Sequence, residues 1–276
     1  MRDAAVVAGL GLIGGSIALG LDAAGWDEDE AARDLARRRG IRVAGSLEEA
    51  VFGAGVVFAA VSTTSAPGLL RVLAALAPVA VLTDAASLKV PVLEAALALP
   101  AGIRFVGGHP MAGAATPGIA GARADLFAGR PWLIVPGARS DAASVELVRS
   151  FVVRMGAVPV VLGADRHDAA MTWISHLPLA VAGGLALAVV RELGPDAGAL
   201  AGPGLTDTTR LAGGRPELAL ELSLSDPARL ARAVESVSRE LADFARRLEA
   251  GERGPIEEFL AEAGRARAAI RPAGGG

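Results

Sequence analysis

The stretch "AAVVAGLGLIGGSIALG" (residues 4–20) admits few folds: an apolar run of strand length, glycines at positions 9, 11 and 14, then a helical pattern. Gly9, Gly11 and Gly14 fit G-x-G-x-x-G at a strand-to-helix junction. The first glycine makes the turn, the second lets backbone approach a pyrophosphate, and the third lets helix and strand pack. The free N–H groups that open the helix, those of Leu12 and Ile13 among them, then face the phosphates. A rival reading starts from residues 4–21, eighteen positions without a charge behind Arg2, which is also how a signal segment or a marginal membrane span looks. Six small residues interrupt that run (Gly9, Gly11, Gly14, Gly15, Ser16, Gly20), and Arg2 stands beside Asp3, so the nucleotide loop is preferred. No later stretch is expected to be both long and apolar enough to cross a membrane.

An acidic residue that accepts the ribose hydroxyls is expected about 20 residues beyond such a loop, at the end of the second strand. Asp27 lies only 13 residues beyond Gly14. A helix of ten or so residues, a turn and a full strand do not fit that interval, so the second strand is expected to be short or missing. Asp27 is still the best ribose ligand, and a carboxylate there favours NAD by repelling the 2′-phosphate of NADP. The alternative is an acidic helix start, Asp27 to Glu30, facing solvent.

Five further apolar runs of strand length follow, at 55–62, 79–85, 103–109, 131–137 and 157–163, with helical patterns such as Ala66 to Leu76 and Ser144 to Met155 between several of them. Near-continuous apolar strands alternating with helices imply an α/β fold, a parallel doubly wound sheet covered on both faces. Ser62 and Thr63, where the run "GVVFAAVS" ends, are placed with the cofactor. After residue 163 the pattern is helical alone, with one long helix from about Asp165 to Leu193 closed by Gly194 and Pro195. The expected domains are therefore residues 1–162 and 163–276. Asp226 and Pro227 open a late helix whose Leu230, Val234, Val237, Leu241, Phe244 and Leu248 form a seam that wants a partner, within the chain or across a dimer.

With 276 residues, 52% of them hydrophobic, a sizeable core can form. A formal net charge of −3 gives no basic groove for nucleic acid, and the absence of cysteine removes disulfides, thiolate metal sites and thiol nucleophiles. No metal site is expected, and the cytoplasm is the expected compartment.

Chemistry belongs near the carboxyl ends of the strands. Three segments stand out: "TDAASLK" (83–89), "GGHPMAG" (107–113) and "WISHLP" (173–178). His109, in a loop after a strand, suits proton acceptance near neutral pH and is the candidate catalytic residue. Lys89 is the one lysine of the chain, and Ser87 beside it could bond a histidine or the nicotinamide amide. His176 precedes Pro178, which removes a helix hydrogen bond and leaves the Ile174 carbonyl unpaired, opening a kink. In "GLTDTTRLAGGRPE", Asp207 and Arg210 share one helical face; the guanidinium suits bidentate capture of a carboxylate, or the two simply pair with each other.

Taken together, "GLGLIGGS", "TDAASLK", "GGHPMAG", "ADLFAGRPWLIVP", "WISHLP" and "DTTRLAGGRPEL" resemble the prephenate and arogenate dehydrogenases of tyrosine biosynthesis, over nearly the whole chain. The resemblance implies a Rossmann-like domain followed by an all-α dimerisation domain, with the active site between them, and a cytoplasmic homodimer. It implies oxidative decarboxylation of prephenate to 4-hydroxyphenylpyruvate, with NAD or NADP as oxidant. His109 would bind the ring hydroxyl and act as base, Ser87 would orient it, and His176, Arg210, Asp207 and Lys89 would meet the substrate.

Two departures tilt towards arogenate or mixed use: "AATPG" (114–118) follows "HPMAG" where many relatives carry a Thr-Glu-Lys-Ser-type run, and Ala219 stands where some prephenate-specific members carry Trp. No appended regulatory or mutase domain is expected. A beta-hydroxyacid-type dehydrogenase would want a lysine on the long helix, and residues 165–193 contain none. A non-catalytic nucleotide-binding dimer would not need His109, Ser87, His176 and Arg210 together.

Overall fold

Val6 and Ala8 bury on one face of a sheet and Val7 on the other, the alternation of a strand covered on both sides. The computed structural model describes residues 4–114 and 116–270. Strand β1 (Ala5–Ala8) passes through the glycine loop into α1 (Leu12–Leu21). There follow β2 (Ala24–Trp26), α2 (Glu30–Arg38), α3 (Leu47–Val51), β3 (Val56–Ala59), α4 (Ala66–Leu76) and β4 (Val81–Asp84). Then come α5 (Val90–Leu97), β5 (Arg104–Pro110), β6 (Pro131–Pro136), α6 (Ala142–Arg154) and β7 (Val158–Val161). The seven strands are ordered β2-β1-β3-β4-β5-β6-β7. The winding reverses between β1 and β3, so a crevice for a ligand opens at their carboxyl ends.

The second strand is short, as the spacing requires: β2 has three residues and pairs with β1 from Val6↔Ala24 to Ala8↔Trp26. Ten residues of α1 begin inside the glycine loop, and Asp22 ends the helix in the left-handed region (φ 50°), the one described non-glycine residue with positive φ. Only Ala23 then separates that turn from the strand. Asp27 therefore does follow a strand end.

The expected parallel sheet is in fact mixed, because β5 and β6 run antiparallel. Parallel neighbours need a crossover, usually a helix. Among its described residues the link between these two strands contains only a 3-10 turn at Ile119–Gly121, whereas α6 provides the crossover that keeps β6 and β7 parallel.

Beyond the sheet lie α7 (Ala164–Met171), a π-helical turn (Thr172–His176) and α8 (Leu177–Leu193). The chain divides into two compact units at Ala170 and Met171, inside α7 and later than the sheet's end. At the π turn the Leu177 N–H donates to the Thr172 carbonyl five residues back, and the register slips just ahead of Pro178. The helix is thus continuous over residues 164–193, and Gly194 (φ 55°) closes it.

This corrects the expectation that no later stretch is long and apolar enough to span a membrane. Residues 169–190 carry no Asp, Glu, Lys or Arg, the most apolar eighteen-residue window of the helix has mean hydropathy 1.8, and 17% of that window is buried. Core helices of soluble bundles pass the same test.

The second unit continues with α9 (Asp196–Leu200), α10 (Pro203–Thr209), a 3-10 turn (Arg210–Gly213), α11 (Pro216–Ser225), α12 (Pro227–Glu249) and α13 (Arg253–Ala269). The Asp226 carboxylate caps α12 by accepting from Arg229 N–H at 2.9 Å. Leu230, the first residue of the expected seam, buries against Leu177 together with Ala233, which lies outside the seam as expected, and Val237 packs alongside. Phe244 stacks on Phe259 of α13 at 4.6 Å between ring centroids. Leu241 and Leu248 stay more than half exposed, so the chain's own packing covers only part of the seam.

Candidate active site

Gly9 holds φ 100°, and a Cβ there would lie 2.5 Å from the Ala60 carbonyl oxygen. A Cβ on Gly14 would lie 1.8 Å from the Gly9 carbonyl oxygen, which enforces the close approach of α1 to the loop. A Cβ on Gly11 would meet nothing within 4 Å, so this glycine leaves open space rather than relieving a clash. Gly11 is also the N-cap of α1 and supplies no side-chain cap, so the helix dipole and the N–H groups of Leu12 and Ile13 face outward. Such a cradle fits a dinucleotide's pyrophosphate.

Asp27 sits at the open edge of this loop. One carboxylate oxygen accepts from Leu10 N–H at 2.5 Å and the other from Asp29 N–H at 2.9 Å. Arg33 donates to the Asp27 carbonyl at 2.7 Å and lies over the Trp26 ring. The carboxylate is thereby tied to the glycine loop itself. Ser62 and Thr63 follow β3 on the other side of the crevice, where Ser62 Oγ bonds Ser65 Oγ and Thr64 Oγ1, each at 2.9 Å, and Thr63 is buried.

Strands β1, β3, β4 and β5 are mutually parallel, so β5 delivers His109 to the same edge of the sheet as the glycine loop. The β4–β5 ladder ends at Thr83↔Val106, and two side chains continue it. Gly108 N–H donates to Asp84 Oδ1 at 3.0 Å, and the Gly108 carbonyl accepts from Lys89 Nζ at 2.7 Å. Lys89 Nζ also pairs with Asp84 Oδ2, which accepts from Ala86 N–H at 3.0 Å. Burial pushes the Lys89 ammonium below the usual lysine range, while the Asp84 carboxylate opposes that shift. A Cβ on Gly108 would come within 2.5 Å of the Asp84 carbonyl oxygen, so only glycine lets this clamp close. Lys89, expected at the substrate, is wholly buried here and grips the peptide just before His109.

Beyond the clamp, His109 Nδ1 lies 3.0 Å from Nε2 of His167, a wholly buried residue of α7. His167 Nδ1 lies 2.6 Å from Asp168 Oδ1. Asp168 in turn accepts from the backbone N–H groups of Lys89 at 3.0 Å and Val90 at 2.9 Å, capping α5 from another helix. Partial burial raises the Asp168 carboxyl, but the bonds from His167 and the two N–H groups outweigh it and hold the group below the usual carboxylate range. A lowered carboxylate pKa adds stability that is complete above the unfolded value and lost as pH falls through the folded value. The stability difference between wild type and Asp168→Asn is therefore expected to shrink on acidification, as denaturant titrations at several pH values would show.

Neither His167 nor Asp168 was among the expected site residues, nor was Asp84. The available signal was slight: one of only three histidines followed by a carboxylate at the start of the long helix. Ser87 is partly buried, and the hydrogen bond observed at His109 Nδ1 is to His167 rather than to Ser87. His176, Asp207 and Arg210 lie in the second unit. His176 closes the π turn and is buried. Asp207 (in α10) and Arg210 (in the 3-10 turn) are exposed and form no ion pair with each other, so the guanidinium is not neutralised locally. Among the described residues no cluster of His, Asp and Glu suits a metal.

The family model described as "Prephenate dehydrogenase, nucleotide-binding domain" matches residues 20–161, and "Prephenate dehydrogenase, dimerization domain" matches residues 163–262. The glycine loop lies outside the first match, so its assignment rests on the geometry above. The chain is 32% identical to a prephenate dehydrogenase of Bacillus subtilis, over 79% of this chain and 62% of that protein. It is 31% identical to a cyclohexadienyl dehydrogenase of Zymomonas mobilis, over 64% of each chain. It thus spans less than two thirds of either relative's length. The crystal structure of Synechocystis arogenate dehydrogenase superposes with a TM-score of 0.81 at 28% identity, covering 97% of this chain and 99% of that one. With both domains matched in order along one chain, this protein belongs to the prephenate dehydrogenase family.

Proposed function

We propose that the chain catalyses the oxidative decarboxylation of prephenate to 4-hydroxyphenylpyruvate, with His109 as the base and NAD as the oxidant. The observation that carries this reading is the placement of His109 at the carboxyl end of β5, on the edge of the sheet that also bears the dinucleotide cradle. When bound, the nucleotide supplies the hydride acceptor. His109 takes the proton of the ring hydroxyl as hydride leaves the carbon that bears it, which generates a ring carbonyl. Loss of the ring carboxylate as CO2 returns its bonding electrons to the ring, and the oxygen regains a proton to give the phenol. Aromatisation drives the step forward.

Gly9, Gly11, Gly14, Leu12 and Ile13 hold the pyrophosphate, Asp27 takes the ribose hydroxyls, and Ser62 and Thr63 line the nucleotide's other side. The carboxylates of Asp27, Glu28, Asp29 and Glu30 repel a 2′-phosphate, which favours NAD over NADP. Ser87 is left to bond the nicotinamide amide. On the substrate side His176 and Arg210, with Asp207 beside it, meet the carboxylates; Lys89 is committed to Asp84 and Gly108 and does not. Arg210→Ala is expected to raise KM by about 10–100-fold, the equivalent of a lost hydrogen bond to a charged group, and an unchanged KM would remove the clamp role. Release of CO2 and 4-hydroxyphenylpyruvate in equal amounts with reduced nucleotide tests the reaction itself.

A second reading is arogenate as substrate. It is favoured by "AATPG" at 114–118, by Ala219, and by the likeness to the Synechocystis structure. In either case the active form is a cytoplasmic homodimer joined through the helical unit, which covers the exposed apolar positions of α8 and α12 with a second copy rather than with lipid. Sedimentation in detergent-free buffer should give twice the chain mass; a monodisperse monomer would contradict the dimer.

A further inference from the structure

We infer that His167 and Asp168 fix the tautomer of His109, placing its proton on Nδ1 and its lone pair on Nε2, the atom that takes the substrate proton. The direction of the hydrogen bonds dictates this. Asp168 is ionised and accepts from two backbone N–H groups, so it can only accept from His167 as well. His167 Nδ1 at 2.6 Å must therefore carry a proton. In a neutral imidazole the other nitrogen is then an acceptor. Nε2 of His167 is that acceptor, and the group 3.0 Å away is His109 Nδ1, which must donate. The polarity set at Asp168 thus passes through a wholly buried imidazole and leaves His109 with Nε2 unprotonated.

His167 and Asp168 are positioning residues in this scheme, and Asp168 has a second duty as cap of α5. The same carboxylate therefore ties the orientation of His109 to the segment that carries Ser87. The proposal deepens the reading of His109 as base and rests on it, but the tautomer itself can be observed without any substrate.

The test is long-range 1H–15N correlation on the full chain with 15N-labelled imidazoles, which gives only three ring systems to assign: His109, His167 and His176. The expected spectrum shows His109 and His167 both protonated on Nδ1, with Nε2 the unprotonated ring nitrogen. A His109 protonated on Nε2, or a His167 bearing both protons, would overturn the inference. Asp168→Asn should turn His109 into a mixture of tautomers and lower kcat on the order of 10–100-fold, the usual cost of losing a group that orients a histidine, with KM for nucleotide unchanged. An unaltered tautomer and an unaltered kcat would overturn it too.

Because Asp168→Asn also removes a helix cap, His167→Gln and His167→Leu provide a pair free of that complication. The Gln carbonyl can still accept from His109 Nδ1–H, so His167→Gln should retain more activity than His167→Leu; equal loss in both would contradict the account. If the tautomer is as expected while prephenate and arogenate both go unoxidised, the positioning inference stands and the reading of the reaction falls.

Discussion

His109→Asn is expected to lower kcat by about 10²–10⁴-fold, the range in which a positioned general base contributes, while nucleotide affinity stays as in the wild type. The side chain stands at the end of β5, beyond the peptide that Asp84 and Lys89 grip, so the substitution leaves the clamp and the glycine loop untouched. Asn retains a polar group of similar reach that can still bond His167, but it cannot accept a proton near neutral pH. Steady-state rates together with nucleotide titration separate the two effects. A kcat within a few-fold of wild type would take His109 out of the mechanism.

Lys89→Met is expected to destabilise the first unit by about 3–5 kcal/mol, the usual cost of removing one partner from a buried ion pair. Methionine is close to lysine in volume and fills the cavity, so the loss reports the Asp84 carboxylate left in the core without its counter-charge. The Gly108 carbonyl would lose a donor at the same time. Asp84→Asn combined with Lys89→Met removes the charge while keeping an acceptor for Gly108 N–H, and should recover part of the loss. Denaturant melts of the single and double variants decide this. A single variant within about 1 kcal/mol of wild type, the worth of an ordinary exposed pair, would show that the clamp holds nothing.

Much of the fold is legible in the sequence because it depends on local chemistry. The glycine loop, the strand lengths and the start of α12 at Asp226 and Pro227 are short-range patterns, and the 13 residues from Gly14 to Asp27 leave room for a strand of only three. The antiparallel turn of β6 was hidden because an apolar run shows its period but not its direction. The site is legible in its ends and not in its middle. His109 stands out as the histidine of "GGHPMAG", but it lies inside β5, paired with Leu133 of β6, and not in the expected loop, because the antiparallel ladder extends the strand to Pro110. Its contact with His167 spans 58 positions, and the Asp168 cap on Val90 spans 78. Such pairings depend on where the sheet places α7. Lys89 announces itself as a solitary lysine, yet its bond to the Gly108 carbonyl, just past the end of the β4–β5 ladder at Val106, is a contact across 19 positions that no local pattern signals.

The central claim is that this chain carries out nicotinamide-dependent oxidative decarboxylation at His109. The most direct measurement is a two-by-two assay of the purified chain, prephenate or arogenate with NAD or NADP, following reduced nucleotide by absorbance. The account predicts turnover with NAD, fastest with prephenate, and a rate lowered by about 10²–10⁴-fold in His109→Asn under the same conditions. No reduction of either nucleotide with either substrate would contradict it.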